Sequence, residues 1–162
     1  MAVIVQFKLI APLLFAAFLL IHSIQATDVK YCGLINEYAD KKGNYVVKVQ
    51  GVEISPDPVV SGQPATFSIS GYTGQAIPGG KLVIDVSVFG VHIHSETHDL
   101  CTETSCPISI GNFVLSHSQI LPGFTPPGSY TLKMRMKDGS GQQLTCINFD
   151  FSIGSGLFMA DS

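Results

Sequence analysis

Apolar and polar residues alternate along most of this chain, which is the signature of strands with one face buried and one face wet. Over 129–137, Lys133, Arg135 and Lys137 alternate with Leu132, Met134 and Met136, so the cations share one face and the apolar side chains the other. Asp85 and Ser87 alternate in the same way with Ile84, Val86 and Val88, and Thr66, Ser68 and Ser70 alternate with Ala65, Phe67 and Ile69. The pattern predicts strands over 45–54, 65–70, 81–94, 108–120, 129–137 and 142–153, separated by Gly and Pro. Within 45–54 the parity slips: Val47 and Val49 are odd, Val52 and Ile54 even. One extra residue at Gly51, a β-bulge, restores a continuous apolar face. A short helix is expected over 34–42. There is no internal repeat and no linker, so these strands form one all-β domain, an antiparallel two-sheet β-sandwich.

The inward set comprises Val52, Ile54, Phe67, Ile69, Leu82, Ile84, Val86, Val88, Leu132, Met134, Met136, Ile147, Phe149 and Phe151, with no carboxylate, lysine or arginine among them. Such a set makes either a solid core or, if the sheets splay, an apolar cavity that admits a lipid; patterning alone does not distinguish the two. Residues 119–130 carry Ile120, Leu121, Pro122, Phe124, Pro126 and Pro127 in a segment whose Pro and Gly residues mark a loop. Loops seldom display that much apolar surface. The segment is either a plug folded over the end of the core or a contact surface.

The N-terminus adds a compartment. Residues 9–21 form an apolar run flanked by Lys8 and by His22-Ser23, with the small Ala26 after it. The run is shorter than the roughly 20 residues a membrane span needs, so 1–26 is expected to be a signal peptide rather than an anchor. The mature domain is then 27–162, secreted or delivered to the lumen of a lysosome or vacuole. Loss of Lys8 leaves 8 of the 9 cations against 12 carboxylates, and only one of those cations is arginine, which argues against nucleic acid as a partner. Four cysteines in an oxidising route imply two disulfides, with three pairings open.

Candidate chemistry is sparse. His92, His94 and His98 form a His-x-His-x3-His run that a metal could use, but the same parity describes a solvent face and no acidic partner stands at recognisable spacing. The run is expected to be metal-free, and no cofactor is expected. Asp99 and Glu103 are read as solvated charges beside Cys101 and Cys106 rather than as a catalytic pair. No nucleophile elbow, His-Glu-x-x-His or phosphate loop occurs.

Several landmarks then fall in order: Tyr31-Cys32-Gly33, Val52-Glu53-Ile54-Ser55-Pro56-Asp57-Pro58-Val59, Cys101-x4-Cys106-Pro107-Ile108, Pro126-Pro127-Gly128-Ser129-Tyr130, and Leu144-Thr145-Cys146-Ile147. Together they resemble the ML lipid-recognition domain family, which includes the Niemann-Pick type C sterol carriers and the plant and fungal phosphatidylglycerol/phosphatidylinositol transfer proteins. The chain lacks the sterol carriers' additional cysteine pair near Pro56-Asp57-Pro58, and it lacks a glycosylation sequon. The resemblance implies an immunoglobulin-like sandwich that holds one lipid, sterol or phospholipid, between its sheets, and no enzymatic activity. It implies disulfides Cys32–Cys146 and Cys101–Cys106. Phe67, Ile69, Val86, Val88, Met134, Phe149 and Phe151 then become expected lining residues, and Ile93, Ile120, Leu121 and Phe124 the expected mouth. The expected partners are the lipid and, transiently, a membrane, and the chain is expected to be a monomer. The alternative is a secreted recognition module that binds a protein partner, with lipid as a cue or absent.

Overall fold

The computed structural model describes residues 27–32 and 45–154. The expected helix over 34–42 and the leader lie outside these residues. Nine strands are described: β1 (Val29–Tyr31), β2 (Val47–Ser55), β3 (Val59–Val60), β4 (Pro64–Thr73), β5 (Gly80–Val88), β6 (Val91–Asp99), β7 (Gly111–Ile120), β8 (Gly128–Asp138) and β9 (Gln143–Gly154). One short helix, α1 (Leu100–Glu103), sits between β6 and β7.

The strands form two sheets. The larger runs β1-β9-β8-β5-β6, with β3 parallel to the end of β9, and the smaller runs β2-β4-β7. Apart from β3, every strand pairing is antiparallel, as the alternating one-sided patterns require. Val49 and Gly51 bracket a register shift in the β2–β4 ladder, and both Val47-Val49 and Val52-Ile54 are buried, so the bulge does rejoin the two apolar runs on one face. Residues 81–94, read from sequence as one strand, are a hairpin. The chain reverses at Phe89 and Gly90, which both take left-handed backbone angles (φ 50° and 78°), and β6 returns along β5. Two consecutive positive φ values suit the twist of a tight two-residue hairpin. An aromatic residue at the first of those positions hid the turn.

The core lies between the sheets: Val52, Ile54, Phe67, Ile69 and Leu115 from the small sheet meet Leu82, Ile84, Met134, Met136, Ile147 and Phe149 from the large one. Cys32 and Cys146 are paired, as are Cys101 and Cys106, each with Cα atoms 5.3 Å apart. The first bond ties β1 to β9. The second closes the turn around α1, where Leu100 is fully buried. Tyr31 ties the sheets together from β1, because its hydroxyl accepts from the Val49 amide at 2.7 Å and its ring stacks on Tyr45 at 5.7 Å.

The outer face of the large sheet is held by Asp85. Its carboxylate accepts from Arg135 on β8 at 2.6 Å and from the Ser95 hydroxyl on β6 at 2.6 Å, so one side chain on β5 joins three strands. Partial burial pushes the Asp85 carboxyl up, but the Ser95 hydrogen bond and the Arg135 guanidinium outweigh it and hold the group below its ordinary value of 3.8.

Two outcomes follow for stability. Removing the Cys32–Cys146 bond, which spans 114 residues, should cost about 4 to 5 kcal/mol, against about 2 kcal/mol for the Cys101–Cys106 bond, which spans 5; denaturant melts of the paired Cys→Ser variants measure both. Asp85→Asn should cost about 1 to 2 kcal/mol at neutral pH, since it breaks a half-exposed charged hydrogen bond. Because the folded carboxyl titrates below 3.8, its contribution is full above that pH and disappears as pH falls through the folded value. Denaturant midpoints should therefore differ between wild type and variant by a constant amount at neutral and mildly acidic pH, and converge only at more acidic pH.

Candidate functional site

Toward one end the sheets stop touching and enclose a cavity of about 460 Å³. Phe67 on β4 marks the boundary. Its ring lies 6.3 Å from Phe149 on the core side, while Phe151, edge-on at 5.5 Å, and His117 at 6.4 Å stand with it in the cavity wall. The remaining wall is mostly aliphatic, from Ile84 and Val86 on β5, Leu132 on β8 and Ile153 on β9, with Tyr130 stacked on Phe151 at 5.7 Å. Among the described residues, no lysine or arginine lines it. An interior of this size and polarity falls within the range of sites that hold small apolar molecules.

The expected lining residues divide. Phe67, Val86 and Phe151 stand in the wall. Ile69, Met134 and Phe149 are buried one layer further in, in the solid part of the core, and Val88 packs against that core at the hairpin end of β5. Parity assigns a residue to the inner face; it does not say how far along the sandwich the sheets part. Ile93, Ile120, Leu121 and Phe124 all border the cavity. Ile93 is 51% exposed, Ile120 60% and Phe124 88%.

The loop that carries Phe124 is fixed in place by its backbone. The Tyr130 hydroxyl donates to Pro126 O at 2.8 Å, Ser61 Oγ donates to Thr125 O at 2.8 Å, and the Gly62 amide donates to Leu121 O at 2.8 Å. Its own turn closes through Thr125, whose amide and hydroxyl both donate to Pro122 O. With the polar groups satisfied inward, the apolar side chains are left at the rim. Phe89, 97% exposed at the β5–β6 turn, is a further apolar residue without cover.

The sequence reading left the polar part of the wall unseen. His117 on β7 is buried, 3% exposed, and joins His94 and Glu96 of β6 in the wall. Its Nε2 lies 3.2 Å from Glu96 and its Nδ1 3.2 Å from Glu103. Glu103 is therefore not a solvated charge. Asp99 caps α1 by accepting from the Cys101 amide at 2.8 Å, and Thr104 Oγ1 donates to Val114 O, so the helix turns Glu103 inward against β7. The three histidines of the His-x-His-x3-His run separate: His92 and His94 are largely exposed, whereas His98 leans inward, its ring 4.8 Å from that of His117. A signal for His117 was present, because Phe113, Leu115 and His117 share the inward parity of β7.

Comparisons with known proteins agree with this architecture. A putative phosphatidylglycerol/phosphatidylinositol transfer protein of Dictyostelium discoideum is 31% identical over 121 residues, which cover 72% of this chain and 83% of that one. A phosphatidylglycerol/phosphatidylinositol transfer protein of Mycosarcoma maydis is 27% identical over 69% of this chain, and the match spans 62% of its own length. Among solved structures, a Niemann-Pick type C2 protein from the Japanese carpenter ant superposes with a TM-score of 0.60 at 14% identity, covering 78% of this chain and 99% of that one, which shows a common fold. The sequence profile of the ML domain matches residues 26–153, and the chain belongs to the ML domain family.

Proposed function

We propose that this protein is a lipid carrier that holds the apolar part of one lipid in the cavity between its sheets and moves it between membranes. The observation that carries the reading is the cavity itself: apolar walls, about 460 Å³, bordered by a loop whose backbone is pinned while Ile120 and Phe124 stand exposed. Each buried methylene contributes about 0.8 kcal/mol, so a single acyl chain is enough for firm binding with no covalent chemistry. The names of the relatives support a phospholipid cargo, and a sterol, implied by the resemblance to the sterol carriers of the family, is the other class. Two disulfides and the family suit an extracellular or lumenal compartment, reached through a leader at 1–26. The carrier acts as a monomer.

Transfer uses the rim. A lipid that left through water would expose its whole apolar surface, whereas a mouth docked on the bilayer keeps that surface covered. Ile120, Phe124 and Phe89 enter the interface. Of the β8 cations, Arg135 is engaged by Asp85 and Lys137 stands opposite Lys81 at the end of the strand away from the rim, which leaves Lys133 for anionic headgroups.

Extraction and mass spectrometry of protein from a eukaryotic secretory host should recover one lipid per chain; protein that arrives empty and takes up none from vesicles would sink the reading. Val86→Phe should fill the cavity and abolish lipid uptake with little loss of stability, whereas overpacking a closed core would cost about 1 to 3 kcal/mol. Uptake and denaturant midpoint, measured on the same variant, separate the two. The triple change Ile120→Ser, Leu121→Ser, Phe124→Ser should slow vesicle-to-vesicle transfer by an order of magnitude or more, far more than it weakens equilibrium lipid affinity. Equal loss of both would make the loop part of the pocket wall only.

A further inference from the structure

Two imidazoles are clamped between two carboxylates where β6 of one sheet faces β7 of the other. Glu96 and His98 stand two apart on β6 and so share a face, Glu103 comes from α1, and His117 comes across from β7. Glu103 meets the Nδ1 atoms, at 3.2 Å from His117 and 3.6 Å from His98. Glu96 meets the Nε2 atoms, at 3.2 Å from His117 and 3.5 Å from His98. A neutral imidazole has one N–H to give. If His117 donates its Nδ1 proton to Glu103, its Nε2 lone pair points at the acceptor-only Glu96 carboxylate. That arrangement is repulsive unless a cation lies between them.

Three further observations bear on which cation. His98 Nε2 is buried and has no hydrogen-bond partner. One ligand atom from each of Glu96, His98 and His117 lies within 4.8 Å of the others. A tetrahedral ion with nitrogen and oxygen ligands at about 2.0 to 2.2 Å has edges of roughly 3.4 Å, close to the 3.2 Å from His117 Nε2 to Glu96 Oε1 and the 3.5 Å from His98 Nε2 to Glu96 Oε2. A carboxylate on the far nitrogen of each ligand histidine is the usual way such rings are oriented and made basic; Glu103 holds that place for His117 through a hydrogen bond at 3.2 Å and stands 3.6 Å from the Nδ1 of His98.

We propose that Glu96, His98 and His117 bind a divalent transition-metal ion, with zinc the one that a two-histidine, one-carboxylate set suits, and that Glu103 positions both imidazoles from behind. The ligands are not the His-x-His-x3-His run as a whole, which is expected from the sequence to be metal-free. His92 lies outside the set, and the decisive partners, His117 and Glu96, come from the opposite sheet and from between the histidines. The ion would join the edge strands of the two sheets beside the cavity, since Glu96 and His117 also line it.

The test uses untagged chain from a secretory host, stripped with chelator and then of lipid, and titrated with zinc chloride by calorimetry at about pH 7.5. One ion per chain with micromolar or tighter affinity is expected, together with a rise in the thermal midpoint and, with cobalt(II) as the probe, the intense visible bands of a tetrahedral site. Glu96→Gln and His98→Ala should each weaken zinc by a hundredfold or more, and Glu103→Gln by about ten- to a hundredfold. His92→Ala should leave binding unchanged. Thermal melts in chelator verify that each variant is folded, and Glu96→Gln, which keeps shape and volume, answers for any that is not. No saturable zinc binding in the micromolar range would mean that protons alone neutralise the cluster, and the proposal would be wrong. Binding that survives Glu96→Gln but is lost in His92→Ala would place the metal on surface imidazoles and overturn it equally. Neither readout depends on a bound lipid, so failure here leaves the carrier reading intact.

Discussion

The packing of Phe67 divides this molecule in two. On one side its ring meets Phe149, and from there the sheets are joined by close-packed aliphatic side chains. On the other side it meets Phe151 and His117, and the sheets part. Neighbouring Ile69 and Met134 stay in the solid half. A dense half is what allows an open half to persist, because an empty apolar cavity forfeits contacts and would collapse if its walls could move together. Two features keep them apart: the Cys32–Cys146 bond with the Tyr31 bridge fixes the far end, and the β7–β8 loop is anchored through Tyr130, Ser61 and Gly62.

The same anchoring explains how Phe124 can remain 88% exposed. A mobile loop with that composition would fold Phe124 and Leu121 into the cavity as a plug. Here Leu121 O, Thr125 O and Pro126 O accept from Gly62, Ser61 and Tyr130, so turning the loop inward would break those bonds at about 1 kcal/mol each. That is comparable with the gain from burying one aromatic side chain, which leaves the open arrangement competitive. Of the two readings open for the segment, contact surface and plug, the hydrogen bonds favour the first.

Most of the fold was legible because a half-buried antiparallel strand writes its orientation into every second residue. The strands β2, β4, β8 and β9, the bulge beside Gly51 and the inward parity of Phe67, Val86 and Phe151 all follow from that period. What period two does not carry is position along the sandwich, so Ile69, Met134 and Phe149 were indistinguishable from Phe67 until the place where the sheets part was known. It also does not carry a turn whose residues break the usual preferences, as Phe89 does. The polar cluster was hidden for a different reason. Its members come from three different elements, β6, α1 and β7, and gain meaning only when α1 turns Glu103 toward β7, a placement set by the Asp99 cap, the Cys101–Cys106 bond and the Thr104 contact with Val114.

The location of that cluster follows from a constraint on any open sandwich. Strands β6 and β7 are the edges of their sheets on the same side, and an edge offers unpaired backbone groups to other chains unless it is covered or charged. Filling the gap between these two edges with aliphatic side chains would close the cavity. Leaving the gap bare would expose both ladders. Charged and imidazole side chains meet the requirement: Glu96 and His98 on one edge and His117 on the other span the gap by polar contact, guard the edge against strand addition, and leave the apolar interior behind them open. The burial of His117 is offset at Nδ1 by its hydrogen bond with Glu103, while its Nε2 faces the Glu96 carboxylate, where the proposed ion would sit.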